Sequence, residues 1–422
     1  MNVYELAMQR IEFIFNEFDN VYVSFSGGKD SGVLLNLCLK YIIDNNLDRK
    51  ITLMHLDYEA QYEATTDYVR LMEEKYADYL DVWHICVPFN VTTCTSASQS
   101  YWRPWEESKK EIWVRGLPKN AKTLKDFPFY TDNMWDYEFQ EKLSSFIHEV
   151  KGAEKTAILV RIRTQESLHR WRAIHKERET YYNDKKYSRK IDANVYNFYP
   201  IYDWTTEDVW IANAKFEFEY NKLYDLYYQA GLPIDSMRVA SPFISEGQET
   251  LKLYKVIEPH TWGKLVSRVN GVNFTGIYGG TTAMGWRSIT KPDQLSWKEY
   301  MEFLLDTLPD DAKQNYLSKL ETSIRFWRER GGVLSEEIVK ELDGLGIKYE
   351  IGKHNYNSDK KAVKLDYLDD VNISDFKSIP TYKRMCVCIL KNDHLCKYMG
   401  FSQTKYEQEK RRKAIEKYAK IL

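Results

Sequence analysis

The chain has 422 residues, 43% of them hydrophobic and 29% charged, with a net charge of −2; this is the composition of a globular protein too long for one compact domain. No apolar run approaches membrane-spanning length, and the first ten residues carry charges and no small-residue cleavage site, so a cytoplasmic protein without a secretory leader is expected. Six cysteines are too sparse for a disulfide scaffold and leave free thiols, a metal site or redox chemistry.

Residues 5–18 have the spacing of an amphipathic helix, and residues 22–25 form an apolar strand that runs into Ser26-Gly27-Gly28-Lys29-Asp30-Ser31. Val33, Leu34, Leu37 and Tyr41 then recur at helical spacing, predicting a helix to about residue 45. A strand, a glycine pair and a helix start in immediate succession build an anion site. The glycines let backbone approach a phosphate, and the first amides and positive end of the helix face it. Ser26 and Ser31 can donate hydroxyls, Lys29 can stabilise a pyrophosphate leaving group, and Asp30 can hold a metal or the loop. The spacing fits neither the Walker loop nor the dinucleotide fingerprint.

The alternation continues with a strand at 51–56 ending in Asp57-Tyr58, a helix at 66–79 and a strand at 80–87. Such alternation predicts an α/β fold with a mostly parallel sheet, and ligands then bind beyond the carboxyl ends of its strands. Asp57 would lie there, as a candidate for a ribose hydroxyl or a metal, or as a turn aspartate. Residues 92–142 break the rhythm with a Trp-rich, turn-containing insertion expected at the rim of the site. The pattern returns with a strand at 156–160, a helix at 166–179 and a strand at 195–201, and Thr205 with Asp208 marks the start of another helix. Beyond residue 216 helices are expected at 223–231, 297–308, 312–330 and 336–342, with a basic helix at 403–422 and a mobile connection at 271–285. Three parts follow: 1–215, an α/β nucleotide-binding domain with an insertion at about 92–150; 216–290, a connecting segment; and 291–422, a mainly helical domain.

Ser26 to Ser31 resembles the PP-loop of the ATP pyrophosphatase and sulfonucleotide reductase superfamily, whose members cleave ATP between its α and β phosphates. Val160-Arg161-Ile162-Arg163-Thr164-Gln165-Glu166-Ser167 and Pro200-Ile201-Tyr202-Asp203-Trp204 through Asp208-Val209-Trp210 follow in the family order. Together the three motifs resemble phosphoadenosine phosphosulfate reductase-like proteins. The resemblance implies a Rossmann-like, adenine nucleotide α-hydrolase-like domain in which Arg163, Glu166 and Ser167 join the loop in binding nucleotide, with ATP and Mg²⁺ as cofactors. Arg161 stands where the family usually has glycine. Residues 257–271 and 384–401 further resemble the branch of immunoglobulin-binding regulator A-type proteins, which implies a small ParB-like protein as partner. The Glu-Cys-Gly-Leu-His nucleophile of true sulfonucleotide reductases is missing from the sequence. Adenylation of an acceptor by ATP is therefore the leading expectation, with sulfonucleotide reduction and nucleotide sensing without turnover as alternatives.

Cys386, Cys388, His394 and Cys396 place three thiols and an imidazole within a short stretch. That set suits zinc, an iron–sulfur cluster, a sulfur relay or unliganded thiols. Between residues 161 and 190 arginines and lysines outnumber Glu166, Glu177, Glu179 and Asp184, and aromatic residues interleave with basic ones at Trp102-Arg103-Pro104-Trp105, Arg170-Trp171-Arg172 and Trp327-Arg328. Nucleic acid is a candidate ligand for such a face, set against a core role for the rings. The oligomeric state has no readable signature.

Overall fold

The computed structural model describes residues 2–166, 168–175, 181–244, 247–278, 289–353, 360–375 and 378–401. The chain divides into two compact units, Met1–Val91 with Trp102–Val269, and Thr92–Tyr101 with Asn270–Leu422. The α/β unit thus runs past residue 215 to Val269.

In the first unit the elements are α1 (Val3–Glu17), β1 (Asn20–Ser24), α2 (Lys29–Asp44), β2 (Ile51–Leu56), α3 (Glu63–Lys75), β3 (Leu80–Ile85), β4 (Ala121–Lys122), α4 (Asp136–Lys151), β5 (Thr156–Leu159), α5 (Leu168–His175), β6 (Ser188–Asp192), β7 (Val195–Phe198), α6 (Thr206–Lys215), α7 (Leu223–Gln229) and α8 (Pro259–Arg268). The strands form one sheet in the order β4-β3-β2-β1-β5-β7-β6. All neighbours pair in parallel except β6 and β7. Every residue of β2 is buried, as an apolar central strand covered on both faces must be. Strand order reverses direction at β1 and β5, the place where a doubly wound sheet opens a crevice.

Two strands were illegible. β4 lies inside the Trp-rich insertion and joins the sheet edge through His84–Ala121 and Ile85–Lys122 pairing; two residues carry no periodicity to read. β6 is Ser-Arg-Lys-Ile-Asp, with exposed or half-exposed positions after its first residue, so its hairpin with β7 rests on edge pairing and not on apolar alternation. Helix α6 begins as expected, with Thr205 accepting from the Asp208 amide and Asp208 accepting from the Thr205 amide.

A continuous core joins α1, β1, α2 and β5 through residues such as Ile11, Phe18, Val23, Leu35, Leu37 and Leu159. Phe18 is 1% exposed, and its ring packs edge-on against Phe198 at 5.1 Å and tilted against Tyr182 at 4.9 Å. Outside the core, Arg10 grips Asp203 with two hydrogen bonds of 2.8 and 2.7 Å and donates to the Pro200 carbonyl. That clamp fixes α1 on the Pro200–Trp204 turn.

The second unit contains helices Trp297–Asp306, Asp310–Glu329, Glu336–Gly344 and Tyr382–Leu390. It also holds an unforeseen antiparallel sheet in which Lys361–Leu365 lies between Gly332–Leu334 and Tyr349–Gly352. Its strands are short and belong to a small apolar cluster around Leu342, Val363 and Ile379. The expected basic helix at 403–422 and most of the Gly-rich part of 271–285 lie outside the described residues. No helix among the described residues is long and apolar enough to cross a membrane.

Replacing Phe18 with alanine removes a ring packed on three sides, and unfolding in urea is expected to show a loss of about 3–5 kcal/mol. A change within experimental error of wild type would show that this ring cluster does not support the sheet.

Candidate active site at the N-terminus of the second helix

The turn after β1 is shaped by backbone need. Gly27 has φ +73°, and a Cβ there would lie 3.0 Å from Thr65 Cγ2 and 3.1 Å from Val69 Cγ2. Conformation and space both require glycine. Gly28 caps α2 with extended backbone and no side-chain bond, so the helix start carries no carboxylate or hydroxyl of its own at the anion position. Within the loop, Ser31 Oγ donates to the Gly28 carbonyl at 3.0 Å, lies 3.1 Å from Ser26 Oγ and receives the Ser26 amide at 3.3 Å.

Two distant side chains and one distant carbonyl finish the loop. Asn221 Nδ2 donates to the Gly27 carbonyl at 2.8 Å and to Thr65 Oγ1 at 2.9 Å. The Lys29 amide donates to the Tyr224 hydroxyl at 2.9 Å, and Lys29 Nζ donates to the Met237 carbonyl at 3.1 Å. Sequence reading missed Asn221, Tyr224 and Met237. No local spacing links them to a loop nearly two hundred residues earlier.

Asp30 and Arg163, read in the sequence as a metal or loop ligand and a phosphate-binding arginine, meet each other. Arg163 Nε donates to Asp30 Oδ1 at 2.6 Å, and Lys29 Nζ stands 3.7 Å from Asp30 Oδ2. Arg163 is 2% exposed, and its NH2 also reaches Glu166 at 3.3 Å. Glu166 pairs in addition with Arg170. Ser167 lies outside the described residues. Burial would raise the Asp30 carboxyl, but Lys29 and Arg163 outweigh it and hold it below its ordinary value. Burial pulls the Lys29 ammonium down, an effect that Asp30 opposes and Arg163, Arg161 and Arg238 reinforce. Among the described residues, Lys29, Arg161, Arg163, Arg170 and Arg238 therefore share one field with Asp30 and Glu166 as counter-charges. Such an excess of positive charge suits a polyanion.

Asp57 sits elsewhere on the same carboxyl edge and is fully buried. Its Oδ1 accepts the Glu59 amide at 2.9 Å and the Arg115 guanidinium, and its Oδ2 contacts His84 Nε2 at 2.8 Å. Both carboxylate oxygens are thus engaged by protein groups. Burial would lower His84, yet its bonds to Asp57 and Glu73 raise it to about 9. Burial and the His84 charge together lower His55 to about 4. Beside this network Glu59, at φ +64°, accepts the amides of Trp105 and Val114 and both arms of Arg268 at 2.8 and 3.0 Å. The Trp-rich insertion is tied down by these two carboxylates. Trp102 and Trp105 are core residues at 3% and 4% exposure.

In the second unit, the cysteine and histidine set does not converge. Cys386 Sγ donates to the Trp297 carbonyl at 3.6 Å, Cys388 interacts with Cys396, and His394 Nε2 lies 3.1 Å from the Ser96 carbonyl. Burial pushes the Cys386 thiol up to about 12. Among the described residues, the group of histidine, cysteine and acidic side chains with mutual ligand spacing is His55, Asp57 and His84.

Removing the Asp30 carboxylate leaves the Arg163 guanidinium buried without its partner. Asp30→Ala is expected to cost about 3–5 kcal/mol in chemical unfolding, and Arg163→Met in the same chain to restore part of it. An undiminished unfolding midpoint in Asp30→Ala would show that the pair does not stabilise the site.

Residues 20–230 match the phosphoadenosine phosphosulfate reductase domain, and residues 231–410 match a domain of unknown function, DUF3440. "Uncharacterized protein YbdN" of Escherichia coli (strain K12) is 32% identical over 97% of this chain and 93% of its own length. Among solved structures, the phosphoadenylyl-sulfate reductase of Candida auris is 16% identical, covering 56% of this chain and 87% of its own, with a TM-score of 0.31. The U34-tRNA thiolase NcsA of Methanococcus maripaludis, solved with its [4Fe-4S] cluster, is 13% identical over 66% of this chain and 81% of its own, with a TM-score of 0.29. With that domain matched from the first strand of the sheet through α7, and a relative aligned over nearly its whole length, the chain belongs to the phosphoadenosine phosphosulfate reductase domain family.

Proposed function

We propose that the chain binds ATP at the Ser26–Ser31 loop and cleaves it to AMP and pyrophosphate, transferring the adenylyl group to an acceptor. The observation that carries this reading is the meeting of Lys29, Asp30 and Arg163 at the N-terminus of α2. Helix dipole, open backbone geometry and excess positive charge there act on the same small volume. An acceptor oxygen attacks the α phosphorus in line, the bond to the bridging oxygen breaks, and the pyrophosphate leaves with the electron pair. Lys29 and the neighbouring arginines stabilise the charge that develops on it. The motif resemblance implies Mg²⁺, but Asp30 is engaged by Arg163 and Lys29 in this structure, so no step is assigned to a metal at that residue. A sulfur-transfer substrate or nucleic acid is the acceptor class proposed.

Sulfonucleotide reduction is disfavoured because all six cysteines are buried, which leaves no exposed thiol to attack a sulfonucleotide. A second reading, nucleotide sensing without turnover beside a small ParB-like partner, draws on another observation. The first amide of α2 and the Lys29 ammonium are both satisfied by protein groups, the Tyr224 hydroxyl and the Met237 carbonyl.

Pyrophosphate release from Mg·ATP should be measured for the full chain and for Lys29→Ala, each alone and with candidate acceptors. The expected result is release that falls about a hundredfold or more in the variant, the scale for losing one charge-stabilising donor. ATP binding with no pyrophosphate under any of these conditions would favour the sensing role.

A further inference from the structure

Strands β2 and β3 end in related tripeptides, His55-Leu56-Asp57 and His84-Ile85-Cys86. Side chains two apart on a strand share a face, and the parallel register places His55 opposite His84. Two imidazoles, a carboxylate and a thiol are therefore set on one face of the sheet, at its carboxyl edge. All four residues are buried, none more than 7% exposed.

Their orientations are fixed from behind. His55 Nδ1 lies 2.8 Å from the Phe25 carbonyl, and His84 Nδ1 lies 2.9 Å from Glu73 Oε1, while Asn120 Nδ2 donates to Glu73 Oε2 at 2.9 Å. A ring nitrogen that donates to a carbonyl or carboxylate leaves the other nitrogen as the donor to a metal, the arrangement that orients metal-binding histidines. Asp57 repeats the pattern: Oδ1 is held by the Glu59 amide and Arg115, while Oδ2 faces His84 Nε2. Cys86, on the same face, is coupled electrostatically to that carboxylate and stands just outside the three side chains at mutual ligand spacing. One donor atom each from His55, Asp57 and His84 lies within 4.8 Å of the others. Donors around a zinc ion, with bonds of about 2.0–2.3 Å, stand roughly 3–4 Å apart, so a modest contraction closes the set.

We propose that His55, Asp57, His84 and Cys86 form a binding site for a divalent transition-metal ion of the zinc class, distinct from the phosphate loop. The entering ion displaces the proton that His84 shares with Asp57 and the Cys86 thiol proton, both to solvent; two neutral imidazoles, one carboxylate and one thiolate then make a tetrahedral set that balances a dication, and nitrogen and sulfur donors select zinc, cobalt or iron over magnesium and calcium. Glu73, Asn120, the Phe25 carbonyl and Arg115 are its supporting shell. Because the Phe25 carbonyl immediately precedes Ser26, the ion would brace the base of the phosphate loop as well as the Trp-rich insertion held through Asp57 and Arg115.

The test uses the full chain. Total metal analysis of protein purified without chelator is expected to give about one zinc per chain, and exchange with Co²⁺ to give intense ligand-field bands in the visible together with a thiolate-to-cobalt charge-transfer band in the near ultraviolet. Cys86→Ser, a conservative change, should keep the folded circular dichroism spectrum and lose the charge-transfer band, and Cys388→Ser should keep it. His55→Gln should drop the zinc content to a small fraction of wild type. Folded wild-type protein that takes up neither zinc nor cobalt would overturn the proposal and leave His84 as a charged clamp between two carboxylates. A charge-transfer band that survives in Cys86→Ser would equally overturn it as drawn.

Discussion

The candidate site depends on one buried ion pair. Asp30 opens the second helix and Arg163 follows the fifth strand, and their 2.6 Å contact spans the point where strand order reverses. Neither charge could stay in so dry a place alone, because an unpaired buried ion costs several kcal/mol. The pair therefore fixes two segments 133 residues apart and leaves Lys29 beside a carboxylate already held by arginine. The loop glycines, the helix end and the basic residues after β5 gain a common purpose only through that contact.

Electrostatics around the pair are unbalanced in a directed way. Arg161, Arg170 and Arg238 add positive charge near Lys29 and Arg163, and burial lowers the ammonium of Lys29 itself. A polyanion entering here would gain from all of them while taking over donors that now serve Tyr224 and Met237. On the neighbouring strands a second buried network gathers His55, Asp57, Glu73, His84 and Arg115. It touches the chain just before the phosphate loop through the Phe25 carbonyl and anchors the inserted segment through Arg115.

The parallel sheet was legible because its central strands are continuous apolar runs and its helices carry regular spacing. The loop was legible because glycine at φ +73°, a following helix and a preceding strand leave a local trace. Asn221, Tyr224 and Met237 left none, since they act through chain reversal over long separations. The cysteine-rich stretch left a ligand set and unliganded thiols both open in the sequence; Cys386 turns to Trp297 while Cys388 lies beside Cys396, as positions two apart on a helix face different neighbours. The paired tripeptides His55-Leu56-Asp57 and His84-Ile85-Cys86 were readable in principle. They take on meaning only once β2 and β3 are known to be adjacent and in register.

The central claim is the bond that is broken. Incubating the full chain with Mg·ATP radiolabelled on the α phosphorus, with candidate acceptors present, and separating the products tests it directly. The account predicts label in AMP or in an adenylylated acceptor, with none in ADP; label that appears in ADP would place cleavage between the β and γ phosphates and contradict it.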